Sequence, residues 1–246
     1  MNSERLPIAS IWVYLSGNPL FALVITLFAY QVGLYTYQKC NRNPLANPVG
    51  IAVIIVAIII DVLDIKYEEY FKGAQFVHFL LGTATVSLAV PIYRGLSGLK
   101  GRALPLLTTL LIGGLTSIIS AVGIAKFFNA DGEIVKSLYA KSITAPIGMG
   151  VSQTIGASPT LTAVFAVATG ILGSIMATFI FNGLKIKPWW QRGFVIGIGA
   201  HGIGTSRAFS VHPEAGAYAS LAMGLHGILG AVIIPLIAPV IDRIFN

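Results

Sequence analysis

Charge is what this chain has least of. Only 10% of its 246 residues are Asp, Glu, Lys or Arg, against about 25% in a soluble domain, which excludes an ordinary water-facing surface. Cysteine is almost missing as well. Cys40 stands alone, so no internal disulfide framework exists, and its place among Lys39, Asn41 and Arg42 reads as a helix end rather than a reactive thiol. No His, Cys, Asp or Glu spacing suits a metal, and no nucleophile–base pair or phosphate loop stands out. No cofactor, no metal and no enzymatic chemistry are therefore expected. No cleavable leader is expected either, because Glu4 and Pro7 interrupt the start and no A-x-A-like site follows. The first apolar helix is expected to act as its own insertion signal.

What the chain has in abundance is apolar length. Hydrophobic residues make up 55% of it and the mean hydropathy is +0.82, the composition of a protein dissolved in a bilayer. A hydrocarbon core demands helices of about 20 apolar residues. Candidate spans are residues 19–38, 44–63, 75–93, 104–127, 160–182, 193–210 and 215–240, with residues 137–153 ambiguous. Breakers separate them: Asn43-Pro44, residues 95–101, residues 129–132, Ser158-Pro159, Lys187-Pro188 and His212-Pro213. The expected fold is all-α, a polytopic membrane bundle of about seven to ten transmembrane or half-membrane segments in one domain over residues 1–246.

The net charge of +7 does not point to nucleic acid, because the basic residues are scattered over short loops with no basic helix face. Their placement reports topology instead. Lys39 and Arg42, then Arg94, Lys100 and Arg102, then Lys185, Lys187 and Arg192, and finally Arg243 hold nine of the sixteen basic residues with only Asp242 among them, which marks those loops as cytoplasmic. Lys66 and Lys72 share their loop with acidic residues, as do Lys126 and Lys136, and those loops are expected outside. The count closes if residues 137–153 enter and leave by one side. Separate crossing of residues 8–15, or of either half of residues 68–95, would raise the total towards ten.

Two stretches of the second half interrupt membrane-grade sequence with polar and helix-breaking residues. Backbone groups freed at membrane depth must face protein, water or a ligand, so such stretches are the candidate working parts. The first runs from Lys141 to Gly150. A cation at depth costs between about 2.5 and more than 10 kcal/mol, and no acidic residue lies nearby in sequence to offset Lys141. An anionic substrate would supply the charge, with Ser142 and Thr144 as hydroxyl donors and Pro146, Gly148 and Gly150 interrupting the helix. The bland reading is that Lys141 snorkels to an interface and Pro146 kinks a helix.

The second stretch joins Gly197, Gly199, Gly202 and Gly204 to His201, Thr205, Ser206 and Arg207. It contains a G-x-G-x-x-G string, but the strand-turn-helix setting and downstream acid of a dinucleotide site are missing. Its glycines imply a non-helical stretch or very close helix packing. Arg207 offers a planar fork for a carboxylate, and His201, with an ordinary pKa of about 6.5, can pass a proton during symport. The alternative is a packed histidine beside an interfacial arginine. A weaker counterpart lies in the first half, where Asn47-Pro48 and then Thr83, Thr85, Ser87 and Pro91 put small polar residues and breakers into spans. Asn47, Thr83 and Thr85 are candidate path-lining residues, against helix capping and back-bonding. Broken elements in both halves would suit an inverted repeat.

Several motifs also carry a family resemblance. Asn47-Pro48, residues 82–93 from Gly82-Thr-Ala-Thr to Pro91-Ile-Tyr93, Lys141-Ser-Ile-Thr-Ala-Pro-Ile-Gly, His201-Gly-Ile-Gly-Thr-Ser-Arg-Ala and residues 216–224 together resemble the LrgB/CidB family of bacterial inner-membrane proteins, from about Asn18 to Asp242. Ser206 stands where many members have Ala. The resemblance implies a multi-pass protein of the bacterial inner membrane, described first as a holin- or antiholin-like regulator of murein hydrolases and cell lysis with a small LrgA/CidA-like partner. Through plastid relatives it also implies a carrier of small monocarboxylates such as glycolate, glycerate or pyruvate. The partners expected are thus a small carboxylate, the lipid bilayer, an LrgA/CidA-like protein and further copies of the chain, a dimer first, with no nucleic acid.

Overall fold

The computed structural model describes residues 19–87, 89, 90, 93 and 101–245, which form helices and no strands. Pro91, the side chain of Thr85 and residues 8–15 lie outside what is described. The chain divides into two compact units, one up to Thr85 and one from Val86.

The first unit holds α1 (Pro19–Lys39), a 3-10 turn (Pro44–Ala46), α2 (Pro48–Val62) and the start of α3 (Tyr67–Ser87). Asn47 fixes where α2 begins: its Oδ1 accepts from the Val49 and Gly50 N–H groups at 3.0 and 3.1 Å, and Pro48 supplies a preset first helical residue. The span expected over residues 44–63 is therefore corrected. The turn over Pro44–Ala46 and the restart at Asn47 leave a helix of 15 residues, about 22 Å long and too short to cross alone.

The second unit holds α4 (Ala103–Phe127), α5 (Gly132–Ser137), α6 (Ala145–Thr154), α7 (Pro159–Gly183), α8 (Trp189–Val211) and α9 (Pro213–Phe245). It is inside out relative to a water-soluble protein. Leu104, Ile112, Phe127 and Leu236 are exposed, whereas Ser137, Ser152, Thr162, Ser174, Ser220 and His226 are buried, the distribution that hydrocarbon solvent imposes. Helices α1, α4, α7 and α9 are long and apolar enough to cross a membrane.

Helix α8 does not cross. His201 has φ 37° and ψ −127° in its middle, and the chain folds back there. A straight helix would hold Trp189 and His212 about 35 Å apart, yet their rings stack with centroids 4.9 Å apart. Ile196, Ala200 and Ala208 share one buried cluster, so the two legs lie side by side. Close glycine packing lets the first leg lie along α9, because a Cβ at Gly193 or Gly197 would run into the carbonyl of Ala215 or Ala219. Residues 193–210, expected as a span, are instead a re-entrant hairpin with His201 at its tip.

Residues 137–158 make a second re-entrant element. Its ends meet: the Ser158 N–H donates to Ser137 Oγ at 3.3 Å and Thr162 Oγ1 donates to the Ser137 carbonyl at 3.2 Å. Between them the chain runs inwards along α9, from Tyr139, whose hydroxyl donates to Asp242 at 2.8 Å, to Ile143 beside Gly230 and Ile147 beside Gly227. Helix α6 then carries it back. The expectation that this segment enters and leaves by one side agrees with this path.

The two elements enter from opposite faces. Lys126 and Asp242 pair at 3.9 Å, bringing the ends of α4 and α9 to one face with residues 137 and 158. Arg102 donates to the Tyr218 hydroxyl at 2.9 Å and sits 4.8 Å over Trp190, so the starts of α4, α8 and α9 share the other. That second face carries Arg102, Lys185, Lys187 and Arg192, and the positive-inside rule makes it cytoplasmic. Arg243, expected inside, consequently lies at the outer face, because α8 contributes no crossing. Among the described residues both re-entrant elements belong to the second unit; Pro91 of the first-half counterpart lies outside the described residues. Each re-entrant element precedes a spanning helix, which gives an inverted pair within residues 129–245.

Candidate functional site: a cationic centre between two half-helix tips

Depth follows from helix midpoints. Gly114 lies at the middle of α4 and Gly170 at the middle of α7. A Cβ on Gly170 would stand 2.9 Å from His201 Cε1, and one on Gly114 would stand 3.2 Å from His226 Cε1. The hairpin tip and His226, which is central in α9, therefore sit near the bilayer midplane. Lys141 reaches the same level through Ser117, less than one turn beyond Gly114 on α4.

Lys141 is held by hydroxyls. Its Nζ donates to Ser117 Oγ at 3.0 Å and to Ser142 Oγ at 3.1 Å, and the two serine hydroxyls share a hydrogen bond of 2.6 Å. Among the described residues no carboxylate pairs with Lys141, His201 or His226. Three cationisable side chains thus share the midplane with no acid paired to them. Thr144, which precedes the first turn of α6, buries its Oγ1 without a partner, and so does His226 its Nδ1.

The tip of α8 is strained and tied down. A non-glycine residue at positive φ outside the left-handed helical basin costs on the order of 1–3 kcal/mol, and His201 is held there from both ends. Its Nε2–H donates to the Ala166 carbonyl of α7 at 2.7 Å, and its own carbonyl accepts from Thr205 Oγ1 at 2.7 Å. Beyond His201 the return leg begins at the midplane, and α6 begins there after Thr144. The first N–H groups of a helix have no intrahelical acceptor and carry the positive end of its dipole. The open N–H groups at the start of α6, just after Lys141 and Thr144, and at the start of the return leg after His201 are candidate donors to an anion.

The structure brings Lys141, Ser142, Thr144, His201 and Thr205 into this region and puts other expected residues elsewhere. Ser206 is exposed. Arg207 lines a different pocket of about 150 Å³ with Phe181, Trp189 and Arg192, between the hairpin legs and α7. Arg192 there donates to the Ile186 carbonyl and Asn182 Oδ1 at 2.6 and 2.7 Å. Asn47 is the N-cap of α2, and Thr83 is exposed and donates to the Leu80 carbonyl at 2.9 Å. Pro146 opens α6 rather than kinking it, and Gly148 and Gly150 continue that helix. Gly199 is exposed, Gly202 follows the break, and Gly204 packs its open side on Ala200 and Ile196. The sequence reading did not put Ser117 or His226 among the site residues, although His226 stands out at mid-span between Gly224 and Gly227 as a candidate for a buried role. Both sit on otherwise apolar helices, and the only signal was their polarity at mid-span.

This fold defines a polytopic helical membrane protein with two re-entrant elements that enter from opposite faces. A family model described as the LrgB-like family matches residues 26–240, and the chain belongs to that family. It is 31% identical over 215 residues to a holin-like protein CidB of Staphylococcus epidermidis, covering 87% of this chain and 93% of that one. It is 27% identical over 218 residues to a holin-like protein CidB of Staphylococcus aureus, covering 89% and 95%. A Bacillus subtilis protein, YwbG, is 30% identical over 210 residues, covering 85% and 93%. No solved structure matches. The protein is a multi-pass protein of a bacterial membrane.

Proposed function

We propose that this protein is a carrier of small monocarboxylates of the glycolate, glycerate or pyruvate class, which it moves without chemical change. One observation carries the reading: two re-entrant elements enter from opposite faces and present half-helix N-termini, Lys141 and unpartnered Thr144 Oγ1 at the midplane. Broken half-helices around a central site are how carriers replace a solute's hydration. A small carboxylate offsets the Lys141 charge and accepts from the open amides, whereas an ion-lined hole would need neither.

The names of the CidB relatives favour a second reading, a holin-like regulator acting with a small LrgA/CidA-like membrane protein or as an assembly of copies. Proteoliposomes separate the two. Saturable exchange of labelled pyruvate or glycolate, with a trapped dye retained, is the carrier outcome. Unsaturable release of that dye is the holin-like outcome and overturns the proposal.

A further inference from the structure

A second polar site lies at the cytoplasmic face, away from Lys141. The two legs of the α8 hairpin and the end of α7 enclose a pocket of about 150 Å³, which Arg192 enters from the first leg and Arg207 from the return leg. Their depths match. Arg192 stands three residues inside Trp189 and Arg207 five residues inside His212, so at 1.5 Å per residue both lie within about 8 Å of the ring stack that joins the ends of the hairpin. Two guanidiniums in one cleft repel each other unless an opposite charge faces them. Among the described residues no Asp or Glu lines the pocket, and Glu214, beside the lining residue Ala215, is not part of its wall.

Arg192 is held in place with donors to spare. Its Nε–H donates to the Ile186 carbonyl at 2.6 Å and an Nη2–H to Asn182 Oδ1 at 2.7 Å, while its Cζ lies 5.2 Å from the Trp189 ring centre and 5.9 Å from that of Phe181. These bonds use two of the five guanidinium N–H groups, and the Nη1 pair and one Nη2–H are left to offer. A guanidinium fixed by its other edge is preorganised for an anion.

The arrangement also selects the kind of anion. A planar carboxylate has two oxygens and is satisfied by one fork, whereas a tetrahedral phosphate has further oxygens that two guanidiniums on separate elements can share. The rest of the wall is apolar, with Phe181, Trp189, Ile196 and Val211, and Val211 is 45% exposed. Apolar surface beside paired arginines at headgroup level suits a phosphate carried on an organic stem.

We propose that this pocket is a cytoplasmic phosphate site, filled by the headgroup of an anionic phospholipid or by a free phosphate from the cytosol, which clamps the two legs of the hairpin together. It shares no residue with the Lys141 centre and stands whether or not that centre carries a carboxylate.

The test uses the full chain purified in a neutral detergent. Modification by phenylglyoxal, which attacks arginine side chains, is followed by peptide mass spectrometry with three probes: dihexanoyl phosphatidylglycerol, inorganic phosphate and pyruvate. A saturating phosphate-bearing probe is expected to slow modification of Arg192 and Arg207 at least about tenfold and to leave Arg243, at the outer face, unchanged. Calorimetric binding of that probe is expected to weaken at least about tenfold in Arg207→Gln and in Thr178→Phe, the second of which fills the pocket and keeps both arginines. Tighter binding of dihexanoyl phosphatidylglycerol than of inorganic phosphate identifies a lipid as the source, and the reverse order a free phosphate. The wild-type protection experiment decides the matter even if both variants fail to fold. Neither phosphate probe protecting or binding overturns the proposal, as does pyruvate protecting equally well, which would make this a carboxylate site, or probe binding that a folded Thr178→Phe leaves unchanged.

Discussion

Trp189 stacks on His212 with ring centroids 4.9 Å apart and planes within 6°, so the two ends of a 23-residue helical segment lie at one membrane face. That single contact changes the topology of everything after Gly183. It turns a nominal span into a hairpin, sends α9 outward, and delivers His201 to the depth of Lys141.

The topology is open to thiol labelling in a Cys40→Ser background. Lys187→Cys and Pro213→Cys are expected to react with an impermeant reagent from the cytoplasmic face alone, and Asn129→Cys, Gln153→Cys and Arg243→Cys from the outer face alone. If Lys187→Cys and Pro213→Cys react from opposite faces, α8 crosses and the hairpin is wrong.

Packing of the hairpin on α9 depends on missing side chains. Gly193→Val and Gly197→Val drive a branched Cβ into the carbonyls of Ala215 and Ala219. Such overpacking typically costs about 1–3 kcal/mol or more. Thermal unfolding in detergent is expected to show a lower Tm for both, whereas Gly150→Ala, with nothing near its Cβ, is expected to be neutral or slightly stabilising in its helix. Equal Tm values for Gly197→Val and wild type would contradict the close approach.

Among the described residues Lys141 has hydroxyl partners and no carboxylate, so stability and function should pull apart there. Lys141→Met removes a charge at depth and is expected to raise Tm, by up to about 2 kcal/mol of stability, while lowering pyruvate exchange by at least about tenfold. Loss of both stability and exchange would make Lys141 a structural residue.

At the hairpin tip, Thr205 Oγ1 holds the His201 carbonyl at 2.7 Å. Thr205→Val keeps the shape and removes that donor, with an expected loss of about 1 kcal/mol. Hydrogen exchange by mass spectrometry should show faster exchange confined to peptides covering residues 199–206. Unchanged protection there would mean that the tie to the Ala166 carbonyl suffices.

Much of this was legible from the chain alone. Apolar run lengths give α4, α7 and α9 closely, because hydrocarbon thickness fixes them, and the missing counter-charge singles out Lys141. The hairpin was not legible. Residues 193–210 have the length of a short span, and run length cannot tell one helix from two half-length legs that return; the signals of a break were the four glycines around His201 and a hydropathy that leaves α8 out of the helices apolar enough to cross. The error then propagated, since a false crossing moved Arg243 to the wrong face. Arg207 looked like the natural carboxylate fork by residue type, but its position on the return leg turns it towards Trp189 and Arg192. Ser117 and His226 were left out for the opposite reason, being lone polar residues on apolar helices whose meaning depends on which neighbours the fold supplies.

The most direct test of the central site is substrate protection at the start of α6. In the Cys40→Ser background, a small permeant thiol reagent should modify Thr144→Cys, and saturating pyruvate should slow that reaction at least about tenfold, as expected when bound ligand occludes the tips. Labelling at an unchanged rate, with Lys141→Met and wild type equally indifferent to pyruvate, would contradict an anion site between the two half-helix tips.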